Sequence, residues 1–383
     1  MENRKQSWIA LNMIPAVGRI RCHRLIQKFG APEKVLSASA KDLGGEGISS
    51  RLAEEIVQAR SELNMDRELS LIEKYQVQII TLEDKDYPFN LRNTANPAPV
   101  IYVRGKLVLG DRLALAVVGS RRATPYGKMI AETLSRELAE YGFTIVSGLA
   151  RGIDTMAHRG ALAGKGQTLA VLGCGVDRVY PLENGQLRDE IIREGAVISE
   201  FPMSTPPLPQ NFPIRNATIS GLSLGVVVVE AAEDSGALIT ARQALEQGRE
   251  IFAVPGNITA ATSRGVHSLI KEGAKLIEGI DDILEELMMV IESYDREIAT
   301  RIKEKRRKEI PSPEDIGEPM LSAEEKKIWS LLSWDPQNIE ILIEKSEMTV
   351  RDVVSILTNL EIKGLIKQLP GKLFIKNSNV SER

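Results

Sequence analysis

Seven short apolar runs constrain this chain more than any other feature of its sequence. They read LAVV (115–118), FTIVS (143–147), TLAVL (168–172), AVIS (196–199), GVVVVE (225–230), EIFAV (250–254) and AKLIE (274–278). Stretches of helical length separate them. In residues 125–141, Ile130, Leu134, Leu138 and Tyr141 fall on one helical face, and GALITARQALEQ (236–247) is a second helix candidate. Strands that are apolar throughout, alternating with helices, are buried on both faces of a parallel sheet. The expectation for residues 66–290 is therefore a doubly wound, Rossmann-like α/β domain. Its ligand belongs at the carboxyl ends of the strands.

The flanks read differently. Residues 1–65 are helical in pattern, broken by IPAVGRI and by LGGEGISSRLAEEIVQAR. Both breaks resemble helix-hairpin-helix turns of a SAM-like domain, where glycine turns the backbone and the next helix end faces a phosphate. A small bundle without a ligand fits the same residues. Residues 291–320 read as a charged, proline-containing linker, and its KEKRRK run (303–308) either touches phosphates or is simply solvated. Residues 321–383 read as a winged helix, with helices at 323–332, 338–344 and 349–363. Val350, Val353, Val354, Leu357 and Leu360 stripe the last of these, and LIKQLPGKLFIK follows as two strands around a turn. That third helix offers only Arg351 and Lys363 against Asp352 and Glu361, so it suits a protein contact or packing as well as a DNA groove.

Composition narrows the function. The formal net charge is −3, so an anionic partner must be held by a local basic patch. Two distant cysteines exclude a disulfide framework, and three histidines with them leave too few ligands for a dedicated zinc site. No apolar run approaches the ~20 residues of a membrane span, and MENRKQSWIA lacks a signal-peptide h-region. A cytoplasmic protein without metal or membrane attachment is expected.

Chemistry collects at the strand ends. VGSRRATPYG gives Gly119, Ser120, Arg121 and Arg122; VSGLARGIDTMAH gives Gly148, Arg151 and Asp154; VLGCGVDRVYP gives Gly173 and Gly175; EAAEDSGALITA gives Ser235 and Gly236. Glycines just past strands let backbone N–H groups approach one anion. Tight turns alone would explain the glycines but not the arginines. Neither a P-loop nor a true dinucleotide fingerprint is present, since GCGVDR has Arg178 where the third glycine should stand. Asp154 and His158, at i, i+4, read as a structural pair. Glu230 and Asp234 read as helix caps, with a salt bridge to Arg242, rather than as acid and base. Cys174 has no basic partner in view and reads as inert.

The segment SEFPMSTPPLPQNFPIRNATISGLS (199–223) is long and rich in proline, so it reads as rigid rather than as a flexible lid. It presents Phe212 near Arg215 and Asn216. A ring beside a guanidinium is how single-stranded nucleic acid is held, with bases stacked on the ring. Core filling by Phe212 and a carboxylate partner for Arg215 fit the spacing equally.

Taken in order, VGSR, SGLARGID, VLGCGVDRVYP, SEFP, FPIRN, VVVVEA, SGALITA and ALEQGREIFAVPG resemble the DprA/Smf family of bacterial DNA-processing proteins. The resemblance is dense over about 110–280, and YPFNLRNTANPAPVIYVRG (87–105) looks like the family's entry to the fold. It implies a homodimer that binds and protects single-stranded DNA and helps load RecA onto it, in natural transformation and homologous recombination. It implies neither catalysis nor a cofactor. It makes Arg121 the leading phosphate contact, with Gly119, Ser120 and Arg122 around it. Gly148, Arg151, Ser235, Gly236 and Thr240 would shape the pocket, and Phe212 would stack on a base beside Arg215 and Asn216. Two basic residues common in the family are missing, at Pro209 and Ala217; Arg122 or the 303–308 run is expected to compensate. The rival is a nucleoside-monophosphate phosphoribohydrolase of related fold, whose P-G-G-x-G-T-x-x-E motif does not occur here.

Overall fold

The computed structural model describes residues 3–45, 48–107, 112–294, 296–309, 321–332, 337–346, 348–363, 365–369 and 372–376. The chain divides into two compact units, Met1–Ala299 and Thr300–Arg383.

The first unit opens with six helices: α1 (Asn3–Asn12), α2 (Gly18–Phe29), α3 (Pro32–Ser37), α4 (Ala40–Leu43), α5 (Ser50–Ser61) and α6 (Met65–Lys74). A nine-stranded sheet follows. Its strands are β1 (Gln78–Thr81), β2 (Val100–Gly105), β3 (Ala114–Val118), β4 (Thr144–Ser147), β5 (Thr168–Val171), β6 (Ala196–Ser199), β7 (Gly225–Val228), β8 (Glu250–Ala253) and β9 (Lys275–Leu276). The spatial order is β1-β2-β6-β5-β4-β3-β7-β8-β9. Pairing is parallel from β6 to β9, while β1 and β2 add an antiparallel edge. The seven expected strands are all present; β1 and β2 are additional. Successive strands run outward from β3 through β4, β5 and β6 on one side, and from β7 through β8 to β9 on the other. The order reverses between β3 and β7, where an open α/β sheet forms its crevice.

The intervening helices are α7 (Phe89–Arg92), α8 (Pro125–Glu140), α9 (Ile153–Ala163), α10 (Gly185–Glu194), α11 (Asn211–Leu222), α12 (Gly236–Glu246), α13 (Arg264–Lys271) and α14 (Ile280–Tyr294). Alternate strand residues feed two cores, as the period of two requires. Ile101, Leu169 and Val171 pack with Ile219, Leu238 and Leu269 on one face. Tyr102, Ala170 and Val197 pack with Leu11, Leu25 and Ile56 on the other. The N-terminal helices therefore share a core with the sheet, instead of forming a domain that ends at residue 65.

Residues 211–222 are helix α11. Pro213 sits in its first turn, where backbone N–H groups have no intrahelical acceptor to lose.

The division between units falls within helix α15 (Arg296–Glu309). Half of the expected linker is thus helical, because Arg, Lys and Glu favour helix once no proline interrupts them. Residues 310–320 lie outside the described set. The second unit holds α16 (Ala323–Leu331), α17 (Ile339–Ser346) and α18 (Val350–Ile362), with strands β10 (Gln337–Asn338), β11 (Ile366–Leu369) and β12 (Leu373–Lys376) in the order β10-β12-β11. This is a winged helix. Val353, Leu357 and Leu360 are buried as expected, but Val350 and Val354 are exposed and Ile356 completes the stripe instead.

Candidate nucleic-acid interface

The crevice is built by the loops after β3, β4, β5 and β7. Gly152 brings two of them together. Its φ is +77°, which favours glycine, and an added Cβ would strike the Ser120 carbonyl. Ile153 N also donates to Ser120 O at 3.2 Å. The β3 loop is thereby pinned from below and stands out at 120–122. Ser120 Oγ accepts from Arg122 N at 3.1 Å. Arg121 and Arg122 are both exposed.

Phe212 lies across the crevice, half-buried over Gly173. The Arg121 guanidinium carbon is 5.3 Å from its ring centre. Tyr180 adds a second ring, with centroids 5.7 Å apart and planes tilted by 40°. Tyr180 is 40 % exposed. Sequence reading missed it, although DRVYP places an aromatic in the same turn as Gly173 and Gly175. The two rings and Arg121 make one surface on which a planar base can stack beside a cation.

Arg215 serves that surface from beneath. It is only 5 % exposed, donating to Gly148 O at 2.5 Å, Val171 O at 2.9 Å and Asn216 Oδ1 at 3.0 Å. Asp154 faces it, its carboxylate accepting from Gly148 N at 3.1 Å and Ala150 N at 3.3 Å. Burial pushes the Asp154 carboxyl up, and the Arg215 charge pulls it partly back. Arg215 therefore ties the β4 and β5 ends together, its Nε and Nη1 donors committed to the protein. Gly148 is required for this packing, since a Cβ would run into the Arg215 guanidinium. Asn216 is likewise buried, donating to Gly236 O at 3.4 Å. Thr240 is buried and donates to the same carbonyl at 3.3 Å. These three support the pocket instead of lining it. Ser235 caps α12 through Ala237 N at 3.3 Å, leaving Gly236 exposed. Arg151 is exposed and ion-paired with exposed Glu183.

Residues 78–288 match the model of the DNA recombination-mediator protein A family. The chain belongs to that family. Residues 311–372 match the DprA winged helix domain. Protein Smf of Synechocystis sp. is 35 % identical over 97 % of this chain and 98 % of its own length. DNA processing protein DprA of Bacillus subtilis is 42 % identical over 58 % of this chain and 75 % of its own. Among solved structures, DprA from Streptococcus pneumoniae aligns with a TM-score of 0.63 at 33 % identity, over 75 % of this chain and 98 % of that one. The Helicobacter pylori DprA, described for its single-stranded DNA binding mode, aligns with a TM-score of 0.50 at 32 % identity, over 55 % and 96 %.

In this member of the family, the titratable groups around the crevice hold structure. Glu230 is buried, accepting from Thr124 N at 2.9 Å and Thr124 Oγ1 at 2.6 Å, while Thr124 Oγ1 caps α8 through Gly127 N at 3.1 Å. Neither Glu230 nor Asp234 is a helix cap: Thr124 caps α8 and Ser235 caps α12, and Glu230 holds the Thr124 cap in place of a salt bridge to Arg242. Asp234 is exposed. His158 bonds Thr168 Oγ1 at 2.7 Å rather than Asp154. Burial, with Arg215 adding to it, pushes its imidazole down to about 3. Burial pushes the Cys174 thiol up to about 11. Among the described residues no group of His, Cys, Asp and Glu could hold a metal, and no helix is long and apolar enough to cross a membrane.

Proposed function

We propose that this chain binds single-stranded DNA along the carboxyl edge of its sheet without catalysing a reaction on it. As a homodimer in the cytoplasm it protects the strand and promotes loading of RecA, in natural transformation and homologous recombination. One observation carries the reading: the ring pair of exposed Tyr180 and half-buried Phe212, flanked by the exposed Arg121. Bases in a duplex are already stacked on each other, so a protein ring competes for them only in a single strand, at ~1–3 kcal/mol per base. The relative described as binding single-stranded DNA supports the same assignment. Against the hydrolase reading, both Glu230 oxygens are engaged in holding Thr124.

The test is fluorescence anisotropy of a labelled deoxythymidine oligomer beside a duplex of equal length, across a salt series. Single-strand preference that declines with salt, and that weakens in Arg121→Ala and Phe212→Ala, is expected. Absence of binding by the wild-type chain at low salt would sink the proposal. RecA loading is read from RecA ATPase activity on DNA already coated with a single-strand-binding protein, and dimerisation from sedimentation equilibrium.

A further inference from the structure

A cavity of about 1420 Å³ lies outside the crevice, between the N-terminal helices and the shoulder formed by 200–214 and α12. Its walls are fixed. Arg19 is bound to Glu200 at 2.5 Å and also donates to Thr218. Asn12 Nδ2 donates to Glu200 O at 2.9 Å, and the buried Glu68 accepts from Met203 N at 2.9 Å. This groove is held open by hydrogen bonds on both sides.

Its surface is basic over an aliphatic floor. Arg21, Arg24, Arg67 and Arg178 line it and are exposed, with Glu246 as the exposed carboxylate among the lining residues. Among the described residues, Arg24 and Arg67 donate no side-chain hydrogen bond. Ile20, Leu208 and Ile214 line the same groove at 53 %, 39 % and 40 % exposure. Gln243 and Gln247 clip α12 to α11 by donating to Pro213 O and Ala217 O, both at 3.0 Å. Each keeps a buried Oε1 with no donor, and both residues line the cavity.

Two loops carry residues of both the groove and the stacking surface. Tyr180 belongs to the ring pair and Arg178, two residues earlier, lines the groove. Phe212 faces the crevice, while its neighbours Asn211 and Pro213 line the groove. Arg178, two residues from a stacking ring, thus shares one groove with Arg67, Arg24 and Arg21. We infer that this groove is a second segment of the single-strand track, in which the arginines hold backbone phosphates and the aliphatic floor receives sugars and base faces. The inference rests on the DNA-binding reading of the crevice and extends it to a site of its own.

The experiment compares wild-type chain with the Arg24→Ala/Arg67→Ala double variant on deoxythymidine oligomers of about four and about sixteen nucleotides, spanning the usual range of single-strand site sizes. The short oligomer reaches only the rings, so its affinity is unchanged. The long one weakens roughly 25-fold at about 0.1 M salt and its salt slope falls by about 1.4, the expectation for two lost phosphate contacts. Arg24→Lys/Arg67→Lys restores both. If wild-type chain binds the long oligomer and the double variant keeps its affinity and slope, the inference alone falls and the basic groove is left to an acidic peptide. Equal losses at both lengths overturn it as well. If wild-type chain binds neither oligomer, the crevice reading fails and takes this one with it.

Discussion

Two arginines near one ring play opposite parts, and burial separates them. Arg121 is exposed and Arg215 is 5 % exposed. Arg121→Ala should therefore weaken single-stranded DNA binding and lower its salt slope by about 0.7 while leaving the melting temperature in place. Arg215→Ala removes donors from two buried carbonyls and strands the buried Asp154, which should cost about 3–5 kcal/mol of stability. Thermal melts beside anisotropy separate the two; equal melting temperatures would refute the supporting role. His158 gives a pH signature. Its folded value of about 3 lies below the unfolded 6.5, so the unfolded state binds the extra proton. Its contribution is complete above pH 6.5 and is lost as pH falls toward 3, at up to about 1.4 kcal/mol per pH unit. Urea unfolding across that window should show a shallower acid loss in His158→Gln than in wild type. The sequence pointed to Arg121 because a cation just past a strand end has little structural use, whereas Phe212 was singled out as a base platform only by the resemblance. It could not separate Arg215 from them, because burial is not encoded in the spacing of FPIRN, and Tyr180 was hidden in a turn read only for its glycines.

At the scale of elements, strands buried on both faces were the easiest to read, since a run such as GVVVVE admits few other environments. The edge strands β1 and β2 were missed because QIIT is short and VIYVRG lies beside prolines. Helix α11 was not among the helix candidates read from the sequence; its one proline, Pro213, falls in the first turn, which tolerates it. The loop carrying Arg121 and Arg122 leads directly into α8, whose start depends on Thr124 and Glu230. Glu230→Ala leaves Thr124 N without its acceptor beside the α8 cap. It should cost about 1–3 kcal/mol of stability and weaken DNA binding through a loosened loop. Glu230→Gln keeps an acceptor for Thr124 N and should retain most of both. A hydrolytic role for Glu230 would instead appear as free base released by wild type and lost in the Gln variant.

For the whole molecule, a net charge of −3 means that no general field draws DNA in, so affinity is a sum of local contacts. The resemblance implies cations where this chain has Pro209 and Ala217, so the sum would be made up elsewhere. The 303–308 run is the obvious reserve by composition. It is helical, however, and Lys303, Lys305 and Arg306 already have interactions within the protein. Arg122 is the better candidate. It is exposed, adjoins Arg121, and its side chain has no partner among the described residues. Arg122→Ala should lower the salt slope by about 0.7, whereas removing the charges of Lys303–Lys308 should leave it unchanged. The opposite result, a slope insensitive to Arg122 and reduced by the 303–308 change, would place the missing contacts in the second unit. The strand would then touch both units, and binding would depend on the segment that joins them as well as on the sheet edge.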